Sequence, residues 1–159
     1  MGAVWVQFTD KNAEKLIKTV REIADYPILI FTDAENGTGE YTIGRHNPIS
    51  GTGDEKYAYA FGKAIGNTAK KWGIMLFVAP FLTYKSTVHL VLLVPTNTQI
   101  VKMATAEAKG PHDSGILTVG KHYPSSINHL NIDQHMAESF SDQNEKELLD
   151  QSLSPFALP

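Results

Sequence analysis

Two adjacent carboxylates stand where a glycine-rich stretch of the sequence meets a helix, and they have the clearest potential for chemistry. Asp54 and Glu55 follow directly after a glycine, and Tyr41, Tyr57 and Tyr59 stand close to them in the chain. Carboxylates and aromatic faces together can hold an onium group, because both stabilise positive charge. The same two carboxylates could instead cap the helix, which is the ordinary role of acidic residues at a helix start. Both interpretations are open on sequence alone.

Other kinds of catalytic or binding site are not indicated. A phosphate-binding loop requires Lys followed by Ser or Thr, whereas Gly53 precedes two carboxylates that repel phosphate. The 6 histidines follow no zinc-binding spacing, so no metal site is expected. There is no cysteine nucleophile and no GxSxG motif. Residues 41–45 are similar to the core of a GIY-YIG nuclease, but no arginine follows Arg45 to serve that chemistry.

Length and composition favour one soluble domain. The chain has 159 residues and a formal net charge of -3, and its Lys and Arg residues are not concentrated anywhere. Binding to nucleic acid or to a membrane surface is therefore not expected. The N-terminus lacks the pattern of a signal peptide, and no apolar run is long enough to span a bilayer, so a cytoplasmic location is predicted. We predict a single α+β domain over residues 1–135 and an acidic tail over 136–159 that contains a short helix.

The hydrophobic pattern predicts a small α+β fold. A strand, an amphipathic helix and a second strand open the chain, a glycine-rich loop follows, and a second helix leads into further strands. This order favours a two-layer sandwich of the ferredoxin-like type or a close relative, with helices on one face of a mainly antiparallel sheet. The predicted helices cover 13–24, 54–72 and 141–149; the predicted strands cover 4–8, 28–31, 74–78, 88–94, 100–103 and 115–119.

Several short motifs occur in the same order as in a known enzyme family. The most specific is the string YKSxxHxxxLV over residues 84–94, which contains Lys85 and His89. An alanine-rich helix that ends at Trp72 precedes it, and the step Asp54-Glu55-Lys56 and the pair Gly39-x-Tyr41 come earlier. With these motifs the chain resembles the small phage-encoded S-adenosylmethionine lyases, also described as S-adenosylmethionine hydrolases, over about residues 4–94.

The resemblance implies an activity, a site and an assembly. The activity is cleavage of S-adenosylmethionine to 5′-methylthioadenosine and homoserine lactone, which would starve host methylation and restriction of their cofactor in the cytoplasm of a bacteriophage-infected cell. Glu55 and Tyr41 match the family's catalytic glutamate and tyrosine, and Asp54, Tyr57, Lys85 and His89 are assigned to substrate binding. The sulfonium is already an activated leaving group, so neither a metal nor an organic cofactor is expected. The family forms homotrimers with sites between subunits.

Two alternatives of different classes stay open at this stage. The first is a non-catalytic oligomeric module that sequesters a nucleotide-like small molecule with the same loop. The second is a structural protein with no small ligand. Within the enzyme interpretation, the sequence does not distinguish attack by the substrate's own carboxylate from attack by water.

Overall fold

The computed structural model describes residues 2–7, 12–33, 49, 51–81, 97–124, 138, 140–141 and 143–157. Strands and helices alternate along the chain, and a short helical segment follows them near the C-terminus. In chain order the elements are β1 (Gly2–Trp5), α1 (Ala13–Ile23), β2 (Ile28–Asp33), α2 (Glu55–Trp72), β3 (Leu76–Phe81), α3 (Asn97–His112), β4 (Leu117–Lys121), α4 (Glu145–Glu147), a π-helical turn (Leu148–Leu153) and a 3₁₀ turn (Ser154–Phe156).

The four strands form one parallel sheet in the order β1-β2-β3-β4. One row of paired residues crosses all four strands through Trp5, Phe31, Leu76 and Leu117. Each pair of neighbouring strands is joined by a helix, as parallel pairing requires, because the chain must return to the start of the sheet before the next strand. A sequential order of this kind differs from the reversed order of a doubly wound sheet and is typical of part of a β/α barrel.

The predicted antiparallel, ferredoxin-like sandwich is therefore wrong. Its weakest element was the strand assigned to residues 100–103, which in the structure lie inside α3. A strand at that point leaves too little chain for a crossover, so the strands before and after it were predicted to pair antiparallel. The helix that is present instead provides the crossover that lets those strands run parallel. The predicted strand at 88–94 lies outside the described residues. The boundary between a domain over 1–135 and a tail over 136–159 stays a prediction.

The first two helices are confirmed, and their ends have clear physical causes. In α1 the stripe that includes Ala13 and Ile17 is buried. The Asp54 side chain accepts a hydrogen bond from the backbone N–H of Lys56 and so caps α2. Gly73 ends α2 in the left-handed conformation, with φ 81, and its N–H donates to the carbonyls of Ala69 and Lys70.

α2 and α3 pack against each other at unusually close range because glycines line their contact. A Cβ atom at Gly62 would lie 2.1 Å from the carbonyl oxygen of Glu107, and one at Gly110 would lie 2.3 Å from the backbone nitrogen of Lys63. Gly66 similarly faces the Cα atom of Pro111 at 2.6 Å. Glycine lowers intrinsic helix stability, so its place in these helices follows from this approach of two backbones.

The main core lies between the sheet and the helices, and the opposite face of the sheet is more open. Ile17 of α1, Ile65 of α2, and Ile30 and Phe77 of the strands belong to one buried cluster. Side chains alternate along each strand, so the row that includes Trp5 and Leu117 points away from this cluster. Trp5 is 54% exposed and Leu117 is 59% exposed. Among the described residues, no helix is both long and apolar enough to cross a membrane.

Candidate functional site

The two edges of the sheet differ in how much chain connects the elements there. Parallel strands place all their carboxyl ends at one edge, where the chain leaves each strand for its helix. At this carboxyl edge β2 ends and α2 begins, with residues 34–54 between them in the sequence, and β3 ends and α3 begins, with residues 82–96 between them. At the opposite, amino edge the chain returns through residues 24–27, 73–75 and 113–116. Binding residues of β/α folds lie at the carboxyl edge, because the longer connections there are free to vary without disturbing the sheet.

An ion pair joins the last residues of β2 and β4 at the carboxyl edge. The ammonium of Lys121 donates a hydrogen bond to Oδ2 of Asp33, across the intervening strand β3. The side chain of Lys121 is 11% exposed and that of Asp33 is 30% exposed. Charged groups so far removed from water require a partner, since desolvation of a lone charge is expensive. The pair is thus a fixed, electrically neutral arrangement of hydrogen-bonding groups.

Strand geometry orients this pair toward the open face of the sheet. Thr32, which precedes Asp33, is fully buried, and its hydroxyl donates to the carbonyl of Val6 at 2.7 Å. Because neighbouring residues of a strand point to opposite faces, Asp33 faces away from the core, on the side of Phe31. Lys121 likewise shares its face with Val119, which is 43% exposed. The ion pair therefore lies where the open face meets the carboxyl edge.

Such a pair can bind a neutral polar ligand. The carboxylate accepts hydrogen bonds and the ammonium donates them, and bonds to charged groups are stronger than bonds between neutral groups. Two neighbouring hydroxyl groups of one ligand both donate and accept, so they match the two partners together. Within the described part of the chain, no three His, Asp or Glu side chains are grouped in a way that could hold a metal ion.

Aromatic side chains follow directly after β4, where that strand ends at the carboxyl edge. His122 and Tyr123 follow Lys121 and are both exposed, Tyr123 at 70%. The Tyr123 ring meets the ring of Phe156 edge-on, with the centroids 5.1 Å apart and the planes at 86°. Phe156 in turn packs against a small buried cluster formed by α2 and α3. The C-terminal turn thus reaches the rim of the carboxyl edge.

The structure gives Asp54, the first residue of the predicted acidic pair, a structural role. Asp54 caps α2, and the hydrogen bond from the Lys56 backbone N–H lowers the pKa of its carboxyl group. Glu55 is the exposed first residue of α2. Tyr57 is 49% exposed, and the ammonium of Lys56 lies 5.2 Å from the centre of its ring. A ligand-binding role for these residues stays a prediction, and Tyr41, Lys85 and His89 lie outside the described residues.

Sequence reasoning missed Asp33 and Lys121. The signal was present, since each is a charged residue that ends an otherwise apolar or small-residue strand, ILIFTD in one case and LTVGK in the other. Charged residues in that position are strong candidates for a site when every strand is parallel, because all the carboxyl ends then lie at one edge. The antiparallel interpretation hid the pair.

This chain is similar to proteins that are named as glycosidases. A curated β-hexosaminidase of Haemophilus influenzae is 25% identical, over 92% of this chain and 45% of that protein. A glycoside hydrolase family 3 β-N-acetylglucosaminidase from Paenibacillus superposes with a TM-score of 0.82 at 21% identity, over 98% of this chain and 33% of its own. NagZ from Neisseria gonorrhoeae, solved in complex with N-trifluoroacetyl-D-glucosamine, gives 0.81 at 18% identity, over 98% and 52%. No family model matches the chain.

These comparisons correct the sequence-based family assignment. The relatives are glycoside hydrolases, so the resemblance to phage S-adenosylmethionine lyases is wrong, as are the lyase activity, the S-adenosylmethionine substrate and the antirestriction role. The alternative of a module for nucleotide-like molecules is also wrong, and the homotrimer was implied by that resemblance and loses its basis. The chain spans less than two thirds of the length of each of these relatives. Its α/β fold is that of part of the family 3 β-N-acetylglucosaminidase from Paenibacillus and of part of NagZ.

Proposed function

We propose that this chain forms the sugar-binding part of a glycoside hydrolase that acts on β-linked N-acetylglucosamine. The observation that carries the proposal is the ion pair between Asp33 and Lys121 at the carboxyl edge of a parallel sheet. The relatives named β-hexosaminidase and β-N-acetylglucosaminidase support the choice of sugar. The structure of NagZ with a derivative of glucosamine supports it as well.

The ion pair suits binding of the sugar rather than cleavage of the glycosidic bond. Cleavage generally uses two carboxyl groups, one on each side of the bond, as acid and as base or nucleophile. Asp33 accepts a hydrogen bond from the Lys121 ammonium. A carboxylate can accept several hydrogen bonds and an ammonium can donate three, so both groups can bind sugar hydroxyl groups in addition to each other. Hydroxyl groups held in this way fix the position of the ring relative to the reacting bond, which lowers the entropic part of the barrier. We assign the acid and the base to other residues of the enzyme.

Binding of N-acetylglucosamine, followed by calorimetry or by saturation-transfer NMR, tests the proposal directly. We expect the native sequence to bind the sugar and Lys121→Met to weaken binding at least about tenfold, because a buried charge-assisted hydrogen bond is lost. Lys109→Met is the matched control, since Lys109 forms an ion pair with Asp113 near the amino edge. Asp33→Asn, which keeps the size of the side chain, serves as a second variant if Lys121→Met folds poorly.

Activity requires a separate measurement. Release of nitrophenol from 4-nitrophenyl N-acetyl-β-D-glucosaminide, with the corresponding β-glucoside as the comparison, measures hydrolysis and its selectivity for the acetamido group. The binding proposal is wrong if the native sequence does not bind N-acetylglucosamine, or if Lys121→Met and Lys109→Met bind it equally well.

A further inference from the structure

We propose that Tyr123 is an aromatic platform on which a sugar ring stacks beside the Asp33–Lys121 pair, and that Phe156 is a positioning residue that holds the Tyr123 ring. The inference rests on the proposed sugar-binding function and extends it to the apolar face of the sugar. It also assigns a role to the C-terminal segment, defined as residues 143–157, which carries Phe156.

The position and exposure of Tyr123 are the first part of the argument. It follows Lys121 by two residues, at the edge where the ion pair lies, and its side chain is 70% exposed. One face of a pyranose ring presents mainly C–H groups, whose hydrogens carry partial positive charge. The face of an aromatic ring carries partial negative charge, so the two faces attract each other while both leave water. A sugar bound by its hydroxyl groups at the ion pair has this apolar face left to cover.

The contact with Phe156 is the second part. The rings of Tyr123 and Phe156 lie edge to face, with centroids 5.1 Å apart and planes at 86°. This contact restricts the orientation of an otherwise exposed side chain before any ligand arrives. Restriction in advance strengthens binding, because less conformational entropy is lost when the ligand binds.

Phe156 itself is firmly held, which is the third part. It packs against the buried cluster of Ala58, Ile100, Met103 and Ala104, contributed by the first half of α2 and the first half of α3. The segment that carries it is also held together internally, because the hydroxyl of the fully buried Ser152 donates to Oε1 of Gln143 at 2.8 Å. Asn144 and Glu147 close the start of the segment with a reciprocal capping box. The support for the platform therefore reaches back to the helix layer of the core.

A single exposed aromatic residue is common on protein surfaces, so the experiment compares Tyr123 with a matched residue. Tyr26 is 53% exposed and precedes β2, at the amino edge away from the ion pair. We expect Tyr123→Ala to raise the dissociation constant for N-acetylglucosamine about tenfold, whereas Tyr123→Phe and Tyr26→Ala leave it unchanged. In the native protein, we also expect nuclear Overhauser effects between the Tyr123 ring protons and the C–H protons of the bound sugar.

The role of Phe156 is tested by loss and rescue. We expect Phe156→Ala to weaken binding several-fold, because the Tyr123 ring is no longer held, and Phe156→Tyr to restore it, because an aromatic ring returns. The melting temperature separates the two possible effects of Phe156. A purely structural residue lowers the melting temperature without changing the affinity of the folded protein. An affinity of folded Phe156→Ala equal to that of the native protein contradicts the positioning role.

The outcomes separate this inference from the proposed function. If the native protein binds the sugar and Lys121→Met weakens binding, but Tyr123→Ala binds normally and no ring–sugar Overhauser effect is seen, the platform is disproved and the proposed function stands. If the native protein binds no N-acetylglucosamine, both are disproved. The Overhauser measurement uses the native protein, so the test does not depend on any variant folding.

Discussion

Two lysine–aspartate pairs of the same chemistry lie on opposite sides of the molecule, in very different surroundings. Lys121 and Asp33 join two strands at the carboxyl edge, with side chains 11% and 30% exposed. Lys109 and Asp113 lie one helical turn apart where α3 ends, at the amino edge, with side chains 63% and 31% exposed. The Lys109 ammonium and the Asp113 carboxylate are 2.7 Å apart. The first pair depends on the whole sheet, whereas the second needs only the end of one helix.

The surroundings of the second pair show that it stabilises a turn. Tyr59 donates a hydrogen bond to the Asp113 carboxylate at 3.1 Å, and Lys63 donates to the Asp113 backbone carbonyl at 2.7 Å. These bonds tie α2 to the short connection between α3 and β4. The groups around Asp113 thus already serve the fold, as residues at the amino edge of β/α folds commonly do. The comparison teaches that the position of an ion pair in the fold, rather than its residue types, indicates its role.

The largest expected effect of a substitution falls on the carboxyl-edge pair. Lys121→Met should lower the free energy of unfolding by about 3 kcal/mol, because it removes the ammonium from a largely buried position beside the Asp33 charge. Urea unfolding of this variant and of Lys109→Met measures the contrast, and Lys109→Met should lose only a small fraction of that amount, since water screens its exposed pair.

A double variant sharpens this contrast. When Asp33→Leu is combined with Lys121→Met, the loss should be smaller than the sum of the two single losses, because no buried charge is left behind. Equal destabilisation by Lys121→Met and Lys109→Met would mean that the two pairs do not differ in the way the structure indicates.

An intermediate effect is expected at the amino-edge turn itself. Gly115 has φ 84, and a Cβ atom built on it meets nothing within 4 Å. Gly115→Ala should therefore cost about 1–2 kcal/mol through backbone conformation alone, because side chains with a Cβ atom disfavour this region. Gly115→Asn should cost less, since asparagine tolerates the left-handed conformation better than alanine. Thermal or urea unfolding distinguishes the two variants, and similar losses in both would point to a steric cause instead.

The smallest effect is a pH dependence confined to the amino edge. The hydrogen bond from Lys109 lowers the pKa of Asp113, so the stability that this carboxylate contributes is present above about pH 4 and is lost as pH falls through its folded pKa. The hydrogen bond to Asp113 raises the pKa of Tyr59 and that of Lys109. The stability that Tyr59 and Lys109 contribute is fully present below about pH 10 and is lost as pH rises through their raised pKa values.

Asp113→Asn provides the control for both limbs of this pH profile. Urea unfolding from pH 3 to pH 11 should show that the variant has a flatter dependence than the native protein in the acidic and alkaline limbs. A variant profile that parallels the native one would show that the cluster around Asp113 contributes nothing that depends on ionisation.

Local signals predicted part of the fold well. Apolar residues at helical spacing predicted α1 and α2, and the cap at Asp54 and the glycine at position 73 predicted the ends of α2. α3 was missed although Ile100, Met103 and Ala104 have helical spacing and are buried. The next position on that stripe is Glu107, which is charged, and Gly110 and Pro111 are poor helix formers. The presence of Gly110 and Pro111 in α3 is explained by the close approach of α2. That approach exists only in the folded molecule.

The candidate site illustrates the same limit. The sequence drew attention to Asp54, Glu55 and Tyr57 because they are neighbours along the chain, and in the structure Asp54 caps a helix. Asp33 and Lys121 are 88 positions apart, so nothing in their local sequence relates one to the other. The short motifs that occur in the same order as in the S-adenosylmethionine lyases were also misleading. Motifs of so few residues recur by chance.

The sequence by itself determined the properties that depend on residues close together in the chain. These are the buried apolar stripes of α1 and α2, the helix cap at Asp54 and the left-handed end at Gly73. Only the tertiary structure decided the direction of the strands, the partner of Lys121 and the use of glycine between α2 and α3. The physical reason is that local interactions are encoded by spacing along the chain. The parallel sheet and its edge arise only when the helices pack and bring distant strand ends together.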